Sequence, residues 1–485
     1  MDRRNFLQLS ALAAAGLWAK PSFSWQSYPG ELQREQLVQR GTPKKILILG
    51  AGLAGLVAGY QLVEANHDVT ILEAQLIPGG RVRTLREPFS DGLYAEAGAG
   101  RIPDTHAITR HWVKMFGLSL DEFYPTTLTD IEYQRGKRIR VPRGRDIDMA
   151  QVPLNLTPEE RKLGFQGMKE KYYLPLLRKV WAVPPDQWPS ADVLPYGEMR
   201  FDEFLRRQGA SPDAVRYFAF GFEHNSVLDF LRDAASHEVH KMLKIRGGND
   251  LLPRAIATEL SENIRYGAAV VRIEHDDKGV RAVFQQMGAT HTLSADAMII
   301  TLPFTILRRL ELAPRFSAEK QRAIDELAYF SVSRVYLQTR TRFWEADGLN
   351  GFAITDHPME IWSPAYGEES PRGLLMSYMY EDLARRVVAM NPGERVNFGV
   401  EEMGKVFPGL REQCETGTSW CWDEHPWSRA ALCLFTPGNF AHFPHIVKPE
   451  GRVHFAGEHT SPWPGWMQGA IYSGIRAARE VNERT

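Results

Sequence analysis

The stretch 45-KILILGAGLAGLVAGYQLVEANHDVTILEAQLIPGGRVRT-84, followed by 94-YAEAGAGRIP-103, decides the fold. Lys45 to Leu49 is a short apolar run without alternation, as expected of a strand buried on both faces. Gly50, Gly52 and Gly55 follow in G-x-G-x-x-G spacing, and Leu56 to Ala65 reads as helix. Asp68 to Leu72 reads as a second strand ending on Glu73, about 20 positions past the first glycine. Each glycine has a task. Gly50 permits the tight strand-to-helix turn, Gly52 lets the backbone approach a pyrophosphate, and Gly55 lets the helix close on the strand. The helix start adds unpaired N–H groups and the positive end of its dipole. Glu73 accepts from both hydroxyls of an adenosine ribose and would repel a 2′-phosphate. The reading is a dinucleotide-binding βαβ unit.

Glycine-rich turns are common, so the discrimination comes from what surrounds this one. Gly79-Gly80-Arg81 follows Glu73 closely, YAEAGAGR closes the segment, and the chain ends with 451-GRVHFAGEHTSPWPGWMQGAIYSGIRAARE-480. These motifs at opposite ends resemble the flavin-binding amine oxidase family, in its L-amino acid oxidase branch, over nearly the whole chain from about residue 43. The resemblance implies an α/β fold: a doubly wound, Rossmann-like FAD domain of glutathione-reductase type in three segments, a mixed-sheet substrate domain and a helical insertion. It implies non-covalent FAD, because the flavin-linked cysteine of monoamine oxidases falls near Ala430 here. The cofactor positions carried over are Gly50, Ala51, Gly52, Leu53, Ala54, Gly55, Glu73 and Ala74 in the βαβ unit, then Gly80 and Arg81 in the GGR turn. Gly98, Ala99, Gly100 and Arg101 follow, with Val270 holding the adenine through its backbone. Gly457, Glu458, Gly465, Trp466 and Met467 complete the set from the C-terminal motif.

With 485 residues the chain can hold several sub-structures around a large core. Its formal net charge of −1 leaves no electrostatic footprint for nucleic acid. Three cysteines, Cys414, Cys421 and Cys433, form neither a disulfide framework nor a zinc site, and scattered histidines give no metal spacing. Residues 1–20, with Arg3-Arg4 before an apolar run too short to span a membrane, read as a twin-arginine export signal. The expected location is therefore periplasmic or secreted, the export machinery a partner, and a homodimer stays open. The expected organisation is an arm at 21–42, FAD-domain segments at 43–105, 246–303 and 416–485, a helical insertion at 106–245, and a substrate sheet at 304–415. Within the insertion Thr157-x-x-Glu160 is a capping box, and IEYQRGKRIRVP is a hairpin turning at Gly136-Lys137.

Oxidising an amine at a flavin needs placement and water exclusion more than acid–base groups. By the resemblance, Arg101 grips a substrate carboxylate with two parallel N–H bonds, a geometry the planar guanidinium suits. Gly465 takes the amine through its carbonyl, and Trp466 forms one aromatic wall. The second wall falls to Trp362 or Tyr378. A lysine that serves flavin N5 in relatives is expected at Arg309 or Arg308, a departure that bears on oxygen activation. His459 reads as structural, and His224 as a candidate pocket base. Glu223, Asp233 and Glu360 are acids that could select a basic side chain. The leading expectation is an FAD-dependent L-amino acid oxidase using O₂ and releasing ammonia and hydrogen peroxide. The alternatives are a monoamine or polyamine oxidase and, further off, a flavin-binding carrier without catalysis.

Overall fold

Lys45–Leu49 forms the middle strand of a five-stranded sheet in a computed structural model that describes residues 37–237, 241–357 and 359–483. The expected export signal lies outside those residues. The strand order is Ile264–Arg265, Asp68–Leu72, Lys45–Leu49, Ala297–Ile300, Val453–Phe455, and every pairing is parallel. Three distant chain segments thus assemble one sheet, with the apolar runs of its middle strands buried on both faces. The helix Leu53–Glu64 lies on it, and the C-terminal helix Met467–Glu483 packs over that helix. Small residues permit this closeness. A Cβ on Gly55 would sit 2.0 Å from the Gly50 carbonyl oxygen, and one on Gly474 would sit 2.4 Å from that of Ala54. Asn482 on the C-terminal helix donates to the Val38 carbonyl and so ties down the end of the N-terminal arm.

The second layer is a seven-stranded mixed sheet: Cys414–Cys421, Val332–Thr339, Gly373–Tyr380, Met359–Trp362, Leu349–Thr355, Thr129–Gln134, Lys137–Pro142. All its pairings are antiparallel except Leu349–Thr355 with Thr129–Gln134. Every residue of Val332–Thr339 is buried, because both faces are covered. Val335, Leu337, Leu375 and Met379 face the helices Glu381–Val388 and Pro392–Val406, while Tyr336, Leu374, Met376 and Trp362 face the central core. A four-stranded sheet, Ala289–Ala295, Val280–Gln286, Ala269–His275, Glu311–Ala313, flanks the parallel one.

Three expectations need correction. The hairpin Thr129–Gln134/Lys137–Pro142 belongs to the seven-stranded sheet, so residues 106–245 are not one helical insertion. Its turn is Arg135-Gly136, one residue earlier than expected, with both φ angles positive (49° and 79°) as a two-residue turn matched to the strand twist requires. The strand Cys414–Cys421 crosses the expected boundary at 415/416 and completes the substrate sheet. The capping box at Thr157 and Glu160 is present, with both reciprocal hydrogen bonds. No helix among the described residues is long and apolar enough to cross a membrane.

The contact between the two glycine-bearing helices yields a test. Gly474→Ala should force the C-terminal helix off Ala54 and Val57 and destabilise the protein by about 1–3 kcal/mol, read as a lower thermal midpoint. An unchanged midpoint would mean that the helices are not held this close.

Candidate active site

A cavity of about 240 Å³ opens between the two sheets. Gly50, Glu73, Thr301 and Gly457 line it, each just beyond the end of a parallel strand, where open α/β sheets place their ligands.

At one end the backbone is arranged for phosphate. The helix Leu53–Glu64 begins at Gly52 with no side-chain cap and no acidic residue in its first turn, so its N–H groups are open to a ligand. A Cβ on Gly52 would meet nothing within 4 Å. Its oxygens receiving hydrogen bonds from the N–H groups of Ala51 (2.7 Å) and Gln75 (2.8 Å), Glu73 is fixed at the strand end. Burial pushes its carboxyl upward, and those two bonds pull it back. Arg81 donates to Glu458 (2.8 Å) and to the Ala431 carbonyl, and Glu458 also accepts from the Gly465 N–H at 2.8 Å. Burial opposes the charge on Glu458, but Arg81 and its other neighbours hold the carboxyl below its usual range.

The other end is aromatic and ionic. Arg101, 8% exposed, lies with its guanidinium 4.3 Å from the Trp362 ring and 6.0 Å from that of Trp466. Its Nη1 is 3.3 Å from the Tyr124 hydroxyl and 3.8 Å from Glu360. Burial works against that charge, yet Tyr124, Glu360 and Tyr378 together raise the guanidinium above its ordinary value, so it stays protonated. Trp362 and Tyr378 stack at 4.9 Å, so the wall for which either was a candidate is made by both. Arg334 covers the Tyr378 side at 4.7 Å and donates from Nη1 to the carbonyls of Glu96 and Gly98. Pairing places Trp420, Arg334, Tyr378 and Glu360 opposite one another on four adjacent strands, one row across the sheet. Trp466 is wedged edge-on between His106 (5.0 Å) and His237 (4.7 Å). Burial, with His237 beside it, drives the His106 imidazole down to about 3, so it is neutral. The helix Val227–Ser236 brings Asp229 and Asp233 to the remaining side.

A family model described as flavin containing amine oxidoreductase matches residues 53–482. This chain belongs to the flavin-containing amine oxidoreductases. It is 34% identical to the Bacillus subtilis (strain 168) protein YobN, over 91% of this chain and 95% of that protein. It is 30% identical to the L-amino-acid oxidase of Pseudechis australis, over 93% and 89%. Among solved structures, a putrescine oxidase double mutant superposes with a TM-score of 0.78 at 19% identity, over 91% of this chain and 99% of that one. Cyclohexylamine oxidase from Brevibacterium oxydans superposes at 0.77 and 20%, with the same coverage. At that identity these two show the fold.

The cradle fits the flavin dinucleotide of such an oxidoreductase. Open space over Gly52, an uncapped helix start, the fixed Glu73 carboxylate and the Gly465-Trp466-Met467 turn all meet one cavity. Of the expected cofactor positions, Ala51, Gly55 and Val270 do not line the cavity. Ala51 orients Glu73 and Gly55 serves the helix–strand contact. Val270 sits in the strand Ala269–His275, just past Ala268, whose N–H donates to the Glu73 carbonyl.

Two expected site residues are misplaced. Arg309 is exposed and outside the cavity lining, because the short helix Phe304–Leu307 turns Ile306 inward and leaves 308 and 309 outside. Arg308 instead donates to the Ile324 and Leu327 carbonyls at the end of the helix Ala318–Glu326. Arg334 lines the cavity with Arg81 and Arg101, and its signal in the sequence was a charge in the middle of an otherwise strand-like run, SVSRVYLQ. His224 is exposed and paired with Arg200 at 2.6 Å, so it is no pocket base. Glu223 stays off the lining, whereas Glu360 and Asp233 are on it. Cys433 also lines the cavity, its thiol donating toward Glu458 at 3.4 Å and pushed well up by burial. His459 is fully enclosed, against Phe304 and under Gly457, as a structural residue would be.

Removing one partner of the buried ion pair tests the cradle. Glu458→Ala leaves Arg81 without its counter-ion and should reduce stability by about 3–5 kcal/mol. The flavin absorbance of the purified protein should fall with it, and full flavin content would show that the pair does not shape the site.

Proposed function

We propose that this oxidoreductase is an FAD-dependent L-amino acid oxidase that converts an L-amino acid, water and O₂ into a 2-oxo acid, ammonia and hydrogen peroxide. The observation that carries the proposal is Arg101. Its guanidinium lines the cavity against the Trp362 and Trp466 rings, where its planar fork of donors matches a carboxylate. A substrate carboxylate completes the arrangement with two parallel charge-assisted bonds. Relatives bearing the name L-amino-acid oxidase cover more than 90% of this chain, which supports the reading.

When bound, the flavin supplies the acceptor for the two electrons and hydrogen leaving Cα, and passes them on to O₂. The chain's own residues bind and orient. Arg101 fixes the carboxylate, the Gly465 carbonyl takes the ammonium, and Trp466 with Trp362 and Tyr378 confines the side chain and excludes water. Arg334 adds a fixed positive charge to the cavity beside Tyr378. Non-covalent FAD, with Ala430 near the position of the flavin-linked cysteine, is part of the same reading. Export in folded form through Arg3-Arg4 belongs to the same reading, and replacing both by lysine should leave the flavoprotein in the cytoplasm on cell fractionation.

The carboxylates Asp229, Asp233 and Glu360 in the cavity favour a diamine oxidase as second reading. One variant separates the two. Arg101→Lys keeps the charge and loses the two-pronged geometry, so kcat/KM for L-amino acids should fall about 10- to 150-fold, the equivalent of one charge-assisted bond of about 1.5–3 kcal/mol. The flavin spectrum should be unchanged and D-amino acids inert in the wild type. A colourless Arg101→Lys protein would make the residue a cofactor support, and diamines oxidised at full rate by the variant would favour the second reading.

A further inference from the structure

The helix Val227–Ser236 offers the cavity something the oxidation itself does not require. Asp229 and Asp233, one turn apart, lie along one face of it and line the cavity, as does Asn225 just ahead of the helix. Asp229 is already saturated. Its oxygens accept from Arg232 at 2.6 Å and Asn225 at 2.8 Å, and the fully buried Arg232 offsets its charge. Asp233 is different. Its Oδ2 is enclosed and accepts no hydrogen bond. The nearest donor, His237 Nδ1 at 3.3 Å, gives its proton to the Asp233 backbone carbonyl at 2.8 Å, since a carbonyl can only accept. Opposite, Arg334 is engaged with two carbonyls and Glu360 with the Trp362 N–H and the charge of Arg101. Asp233 thus brings to the substrate end a carboxylate oxygen without a hydrogen bond, with His237 at 3.3 Å beside it. Burial opposes its charge, but His237 and Arg101 hold the carboxyl below its usual range, so it is ionised at neutral pH.

We infer that the oxidase selects L-amino acids with a cationic side chain, of the lysine or ornithine class, by pairing the side-chain ammonium with Asp233 while Arg101 holds the carboxylate. This rests on the L-amino acid oxidase reading. Asp233 and Arg101 line the same cavity, and the Arg101 charge acts on the Asp233 carboxyl, so one bound molecule can face both groups. An ammonium with three donors also suits the unused acceptor better than a neutral side chain, which would leave a buried carboxylate unpaired.

The test compares L-lysine with L-norleucine, which keeps the carbon chain and drops the ammonium, using peroxide release by the flavin-loaded enzyme. L-glutamate and cadaverine serve as further arms. Lysine should exceed norleucine in kcat/KM by about tenfold or more, and Asp233→Asn, with its flavin spectrum as the check on folding, should bring that ratio close to one. Asp233→Glu, which keeps the charge, should restore part of the preference. A wild-type ratio near one, a preference for glutamate, or a lysine preference that survives Asp233→Asn overturns the assignment. Equal losses for lysine and norleucine in Asp233→Asn would also overturn it, by placing Asp233 at the α-ammonium common to both. In each of those cases the amino acid oxidase reading survives. Oxidation of cadaverine with no L-amino acid turned over would remove that reading and this one with it.

Discussion

The guanidinium of Arg334 holds the two halves of the molecule together. It projects from the middle of the seven-stranded sheet and donates to the Glu96 and Gly98 carbonyls, in the loop that leads to Arg101. Buried carbonyls without donors would each cost about 1–3 kcal/mol, so a loop of this kind cannot dock on an apolar sheet without a partner. Tyr336 and Trp422 add bonds to Glu96 and Ala97, and Asn249 closes on Ala99 from the nucleotide side. The loop is clamped from both domains, and Arg101 inherits its position from that clamp.

A second constraint follows from the sheet being covered twice. Helices bury one face and the cavity core buries the other, so the inner strands Gly373–Tyr380 and Met359–Trp362 are apolar at nearly every position. The few polar residues that interrupt it stand out for that reason. Arg334 and Glu360 fall on one register row with Tyr378, and a slip of one residue in either strand would exchange the ionic wall for the face that packs on the helices.

The nucleotide half was legible because its physics is local. Gly50, Gly52, Gly55 and Glu73 act through turns and spacings within a single βαβ unit, and Arg101 stood beside a recognisable motif. The substrate half was not, because its groups meet only through pairing between distant strands. Nothing near Thr129–Gln134 announces that it continues a sheet begun some two hundred residues later, nor that this sheet ends at Cys421 rather than before residue 416. The same reason hid Arg334. Order along the chain points to Arg308 or Arg309, just after the 297–300 strand, whereas the cavity wall is chosen by strand parity. The run SVSRVYLQ carried the clue, a charge where both faces must be dry. The acids were named as a composition, and only the helix Val227–Ser236 shows that Asp229 and Asp233 share a face while Glu223 does not line the cavity.

The cavity thus has walls of unequal rigidity. The sheet side is a ladder in which each backbone group is shared between strands, so altering its side chains disturbs neighbours on two sides. The facing helix satisfies its backbone within itself, and its positions at intervals of four can change without unpicking any ladder. Evolution or an engineer seeking a new diet for this enzyme therefore has one dial on that helix, Asp233, since Asp229 is tied to the buried Arg232, while the opposite wall stays fixed as the common grip on the amino acid head.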